Sequence, residues 1–172
     1  MKNNKMEKKN NNLGKSKIKY IIFIAFIIGV LCILFKFKDR DDPMIKYNND
    51  KWLITSLDKF TYKEKVGQVD DNGAKLNYNM SGIETMWKFT VEDSTDIKLQ
   101  CNHVLNNGKA KLILITPSNK VQNICEGTVD DVYTLHLLKG TNRIRFVGNK
   151  AVGNIKLEVT YGNNVKVETI ES

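Results

Sequence analysis

The sequence has few residues of the types that carry catalytic or metal-binding chemistry. It contains two histidines, three cysteines and two prolines in 172 residues. No C-x-x-C pair occurs, so a zinc site would need an unusual mixture of ligands, and we expect neither a metal nor a cofactor. A nucleophile triad would have to be built around His103 or His136, and neither has a diagnostic neighbour. The sequence therefore predicts a protein without catalytic activity.

The positive charge is concentrated at the N-terminus. The formal net charge is +8, and seven lysines against one glutamate precede Tyr20. The rest of the chain is nearly balanced and shows no basic face with interleaved aromatic residues, so nucleic acid is not expected as a partner. Residues 1–19 are rich in lysine and asparagine and lack apolar periodicity, which predicts a disordered cytoplasmic leader.

A charge-free apolar run follows this leader. It reads YIIFIAFIIGVLCILF and predicts a transmembrane helix over residues 20–37. A helix of about twenty residues spans roughly 30 Å, the thickness of the hydrocarbon core. The preceding lysines place the leader in the cytoplasm and the C-terminal part outside the cell membrane. A cleaved signal peptide is the alternative, although the run ends LFKFKDRDDP, without small residues where a signal peptidase needs them.

The remaining chain predicts a single outer domain. Residues 38–43 form a charged stalk, and Pro43 cannot continue a helix. Residues 44–172 have the length of one domain, with glycine and asparagine recurring between short segments of alternating polarity and no sustained helical face. We predict an all-β domain, a β-sandwich or jelly roll of eight or nine strands. These strands are drawn from ten candidate segments, 60–66, 75–80, 84–91, 96–103, 109–116, 121–125, 131–138, 142–147, 154–161 and 165–170.

Local patterns predict the core and the turns of this domain. KAKLILIT at 109–116 is apolar on both faces, as in the middle strand of a packed sheet. Trp87 alternates in phase with its apolar neighbours, so we expect it in the core. Turns are predicted at 106–108 and at 117–120, where proline presets the first central position. Residues 70–73, DDNG, resemble half of a calcium loop but lack the terminal glutamate, so they also predict a turn.

Cys101 and Cys125 lie in the predicted outer domain. An oxidising compartment would permit a disulfide between them. The alternative is two small buried side chains, because Cys101 shares a strand face with Ile97 and Leu99.

Aromatic and amide side chains are the candidates for binding a ligand. Sugar sites stack an aromatic ring on the apolar face of a pyranose and use amides for its hydroxyls. Trp52 precedes the first predicted strand and is the better candidate for exposure. Tyr133 and Asn142 complete the predicted ligand-binding residues.

The segment Leu138–Val147, LKGTNRIRFV, follows the strand DVYTLHL and resembles the L-x-x-G-x-N-x-I hairpin of galactose-binding-like jelly rolls, including several carbohydrate-binding modules. Gly140 permits a positive φ, the Asn142 amide can close the turn, and Ile144 and Phe146 return to the core. A basic N-terminus, one span and a small β-sandwich are also similar to uncharacterised envelope proteins of Gram-positive clostridia and bacilli. The resemblance implies an anchored module that binds a ligand or partner, and it carries over no catalytic residues.

These observations together predict a single-pass membrane protein whose outer domain is a non-catalytic binding or assembly module. Its partner would be another membrane protein or a cell-wall glycan. The first alternative is a cell-wall carbohydrate-binding module of the galactose-binding-like type. The second is an envelope hydrolase, which requires a cleft that joins a histidine to a carboxylate.

Overall fold

The computed structural model describes residue 20 and residues 23–32, 46–54 and 57–170. The chain divides into two compact units, residues 1–42 and residues 43–172. The predicted leader, the predicted stalk and positions 21–22 and 33–37 of the predicted transmembrane helix lie outside the described residues.

The described part of the first unit is helical. Residues 23–32 form a helix whose large apolar side chains are exposed, for example Phe23 at 61% and Phe26 at 68%. No helix within the described ranges has the length and apolar composition that a membrane crossing requires.

The described part of the second unit consists of a short helix and seven strands. Helix α1, Asp50–Leu53, is capped by Asn49, whose side chain accepts a hydrogen bond from the Trp52 backbone N–H at 3.2 Å. The mostly β architecture is confirmed, with seven strands instead of eight or nine. The strands pair antiparallel and are β1 (Lys59–Asp70), β2 (Gly73–Val91), β3 (Thr95–Ile115), β4 (Val121–Glu126), β5 (Val129–Leu137), β6 (Gly140–Thr160) and β7 (Val165–Thr169).

Three long strands account for the lower number. β2, β6 and β3 are neighbours, and each joins two of the predicted segments. The register shifts between Met80 and Gly82 in β2, and on both sides of Asn107 in β3. The predicted turn at 106–108 is therefore wrong, because the hydrogen-bonded ladder continues through this point as a bulge. Glycine and asparagine interrupt the alternation there without ending the strand.

The strands form one continuous seven-stranded sheet, and the bulges divide its long strands into two halves that we call sheet A and sheet B. Sheet A contains β1, β5 and one half of each long strand, and sheet B contains β4, β7 and the other halves. The halves in sheet A are residues 73–80, 95–105 and 151–160. Those in sheet B are residues 82–91, 109–115 and 140–148.

The two sheets face each other across the main core, which contains Trp87 as predicted. Tyr78 of sheet A and Phe146 of sheet B have ring centroids 4.9 Å apart. Phe146 is paired with Glu84, six residues beyond Tyr78 on β2. Six residues of a straight strand span about 20 Å, so the strands must fold back at the bulges to allow this contact. This arrangement is consistent with the predicted β-sandwich.

The outer face of sheet B is covered by a segment that we call the strap, residues 46–54 together with 57 and 58. Arg145, fully buried, donates from Nη1 to the Leu53 carbonyl at 2.7 Å and forms an ion pair with Asp58.

The prediction that strand 109–116 is buried on both faces is confirmed. A second apolar cluster lies between the strap and the sheet and contains Tyr47, Leu53, Ile83, Ile113, Ile115 and Val147.

Candidate functional site

The outer face of sheet A is open, because no part of the described chain packs over it as the strap does over sheet B. Along β2, β3 and β6, side chains alternate between the buried core and this face. Six amide side chains lie on the face, five of them exposed and Asn79 half-buried. We call it the amide face, and its amides are Gln68, Asn77, Asn79, Gln100, Asn102 and Asn154.

Strand register brings these amides together from four strands. Asn77 of β2 lies directly opposite Asn154 of β6. In the next outward-facing row, Gln68 pairs with Lys75, which pairs with Lys156, which pairs with Asn102. Four adjacent strands span roughly 14 Å, so this row is a continuous polar surface of that width.

The six amides are available to a ligand. In the part of the chain that the structure describes, none of their side chains forms a hydrogen bond with another protein group. Each amide offers two N–H donors and an acceptor oxygen. The amide face can therefore both donate to and accept from a polar ligand.

A shallow depression of about 240 Å³ lies at the edge of the amide face, around Gly73. It is smaller than the roughly 300–1,000 Å³ of pockets that enclose a small molecule, so it suits one unit of a ligand bound along a surface. Its lining residues are Gln68, Asp70, Asn72, Gly73, Ala74, Lys75, Lys156, Leu157 and Glu158.

Charges in the depression are balanced. Two lysines, Lys75 and Lys156, stand against two carboxylates, Asp70 and Glu158. Lys156 Nζ lies 2.7 Å from Glu158 Oε1, and this hydrogen bond and charge raise the pKa of Lys156. A site with equal numbers of fixed positive and negative charges favours a neutral or zwitterionic ligand over a polyanion.

The predicted ligand-binding residues occupy three different places. Trp52 is half-buried in the cluster under the strap, and Tyr133 of β5 is half-buried against the main core. Asn142 is fully buried; its Nδ2 donates to the Leu138 carbonyl at 2.8 Å, and its Oδ1 accepts from the Leu138 N–H at 3.2 Å. The expected role of Asn142 in closing the hairpin is confirmed. Ligand contacts by Trp52, Tyr133 and Asn142 stay predictions.

None of the predicted ligand-binding residues lies on the amide face. Its signal was present in the alternation, since Asn77 and Asn79 flank buried Tyr78, and Gln100 and Asn102 flank buried Cys101. The alternation predicts the apolar side of each strand, but it does not indicate which of the opposite side chains stay uncovered in the folded protein.

The two histidines lie away from the depression. His103 is 1% exposed, its Nε2 lies 2.5 Å from the Tyr78 hydroxyl oxygen, and burial lowers its pKa. His136 faces solvent as predicted, with Nδ1 2.6 Å from Asp96 Oδ1 and both side chains more than 60% exposed. This histidine–carboxylate pair is on an open surface, whereas the hydrolase hypothesis requires a cleft. Within the described ranges, no group of three potential ligands is placed to hold a metal.

No family model and no curated protein matches the chain. A family 35 carbohydrate-binding module in complex with a glucuronic-acid-containing disaccharide is 13% identical, with a TM-score of 0.35 over 66% of this chain and 94% of that chain. A family 35 module from Cellvibrio japonicus is 12% identical, with a TM-score of 0.34 over 64% and 91%. One from Paenibacillus barcinonensis is 12% identical, with a TM-score of 0.32 over 60% and 93%. These TM-scores are below 0.5, so the likeness identifies neither a ligand nor a site in this chain.

Proposed function

We propose that this chain is a non-catalytic, membrane-anchored module whose amide face binds a neutral glycan of the cell wall. The observation that carries the proposal is the asymmetry of the sandwich. The strap covers the outer face of sheet B, while the outer face of sheet A presents six amide side chains that form no hydrogen bond with another group of the described chain.

The chemistry of a glycan complements this face. Each sugar hydroxyl is both a donor and an acceptor, and each side-chain amide is too, so the two surfaces can pair in many registers. The balanced charges of the depression add no preference for a polyanion. An extended ligand suits a flat row about 14 Å wide better than an enclosed small molecule does.

Anchorage at the membrane is part of the proposal. It is supported by the charge-free run in residues 20–35, by the lysines that precede it, and by the exposed apolar side chains of helical residues 23–32. The glycan would then be bound on the extracytoplasmic side. A reporter fused at the C-terminus and active only in the cytoplasm would contradict this topology.

The decisive experiment measures retention of the full-length protein, purified in detergent, on isolated cell walls at low and high salt. We compare the wild type with Asn77→Ala/Asn154→Ala, and with Gln122→Ala/Asn123→Ala as a matched control on exposed amides of β4 in sheet B. Two lost hydrogen bonds of about 0.5–1.5 kcal/mol each predict a dissociation constant roughly 5- to 150-fold higher for the first variant. The control variant should bind as the wild type does.

Two outcomes would contradict the proposal. Retention that disappears at high salt would indicate nonspecific charge attraction, because amide–hydroxyl hydrogen bonds are only weakly screened. Equal loss in both variants would mean that the amide face is not the site.

A protein partner in the membrane is the second candidate function. It is favoured by exposed valines on the same face, Val66 at 58% and Val104 at 40%. They flank the Asn77–Asn154 pair in one row across four strands. Failure of the folded protein to bind cell walls, combined with its co-purification with a membrane complex, would select this candidate.

A further inference from the structure

Two buried thiols meet between the sheets of the sandwich. Cys101 lies on β3 in sheet A, and Cys125 lies on β4 in sheet B. Their Sγ atoms are 3.6 Å apart, and the residues are 0% and 6% exposed. Both are free thiols in this structure.

Only the folded arrangement brings these residues together. Cys125 is paired with Leu112, which lies eleven residues beyond Cys101 on β3. Eleven residues of a straight strand would span about 36 Å. The bend in β3 at Gly108 therefore carries the Cys125 thiol back over Cys101, so a covalent bond here would connect opposite sheets.

We propose that Cys101 and Cys125 form a disulfide that ties sheet A to sheet B across the main core. The sulfur atoms must approach by about 1.5 Å to reach the bonding distance of roughly 2.05 Å. Since β4 is a short strand at the edge of the sheet order, we expect its side chains to supply this movement without a change of topology. The proposal does not depend on glycan binding, but it rests on the extracytoplasmic location that is part of the proposed function.

The reaction is a thiol–disulfide exchange with a small disulfide such as oxidised glutathione. One of the two protein thiolates attacks the disulfide and releases one glutathione thiolate, and the other protein thiolate then attacks the mixed disulfide and releases the second. Two protons leave the protein thiols, and two electrons reduce the glutathione disulfide.

Burial determines when the bond can form. In the folded protein neither sulfur is accessible to a dissolved oxidant, because the residues lie at 0% and 6% exposure. We therefore expect oxidation to take place during folding in an oxidising compartment. Once formed, the bond would be protected from reductants in the same way.

The test uses the full-length chain with Cys32→Ser, so that Cys101 and Cys125 are the remaining cysteines. The protein is refolded from denaturant in detergent with oxidised and reduced glutathione, and native-like tryptophan fluorescence reports folding. The thiols are then alkylated under denaturing conditions and counted by intact mass. We expect no alkylated thiol, a mass lower by two hydrogen atoms, and one disulfide-linked peptide containing both cysteines.

Two results would overturn the proposal. One is a refolded protein with two alkylated thiols, and the other is a protein with a glutathione adduct on each cysteine. A matched Cys32→Ser/Cys125→Ser variant should keep one alkylatable thiol, which shows that the assay detects a free Cys101. Neither result bears on cell-wall retention, so failure here is distinguishable from failure of the proposed function.

Discussion

Replacement of Gly108 by alanine tests the bend that turns the long strands into a sandwich. Gly108 has a φ of +76°. A Cβ atom at this position would lie 2.1 Å from the Lys150 carbonyl oxygen of the neighbouring strand. Gly127 offers a matched control, because its φ is +74° and a Cβ there would have nothing within 4 Å.

The difference between the two variants isolates the close backbone approach. A left-handed conformation costs a non-glycine residue about 1–2 kcal/mol, partly offset by about 0.4–1 kcal/mol from the unfolded chain, so Gly127→Ala should lose roughly 1 kcal/mol. Gly108→Ala meets the same cost. In addition, β3 and β6 must separate by about 1 Å at the bend, and strain of this kind costs about 1–3 kcal/mol. We expect a total loss of about 2–4 kcal/mol.

Urea unfolding of the full-length protein in detergent, followed by tryptophan fluorescence, measures both free energies of unfolding. The midpoints should differ while the m-values stay alike, because both variants expose the same surface on unfolding. Equal losses within about 0.5 kcal/mol would refute the reasoning. They would show that Gly108 does not lie against the β6 backbone, and that the strands do not bend as the structure has them.

Two further predictions concern buried charge and pH. Asp58→Ala leaves the buried guanidinium of Arg145 without its carboxylate, so the free energy of unfolding measured in urea should fall by about 3 kcal/mol. Lys88→Met breaks the exposed pair with Glu168 and should lower it by less than about 1 kcal/mol. Equal losses would contradict this ranking. Burial lowers the pKa of His103 below its ordinary value of 6.5, because the folded protein favours the neutral imidazole. The stabilisation from the neutral ring is therefore complete above pH 6.5. It is lost as the pH falls, and the free energy of unfolding decreases by at most about 1.4 kcal/mol per pH unit. Unfolding measured from pH 8 to pH 5 should show a smaller acid loss in His103→Gln, and an unchanged acid loss would rule out this histidine as its source.

Much of the core could be predicted from local alternation. Trp87 and the strand at 109–116 are buried as their patterns indicated, and the turns at 70–73 and 117–120 form where their residues favour them. Asn142 closes its hairpin through its own amide. These features depend on contacts within a few residues, so a short segment of sequence contains the information that specifies them.

The continuity of the long strands could not be predicted in the same way. At residues 106–108 the sequence has the composition of a turn, and a turn and a bulge use the same residue types. The difference is decided by β6, whose backbone continues to pair with β3 on both sides of Asn107. Helix α1 was also missed, because four residues are too few to show a helical period.

The sequence by itself determined which side of each strand is apolar, because side chains alternate with a period of two along any extended chain. Only the tertiary structure decided what covers the other side. Arg145 would face solvent in an isolated sheet, but it is buried because a strap residue 87 positions earlier, Asp58, lies against it. The same long-range packing left the amide face open and brought Cys101 to Cys125, since contacts between distant segments depend on how the sheets fold together and not on local alternation.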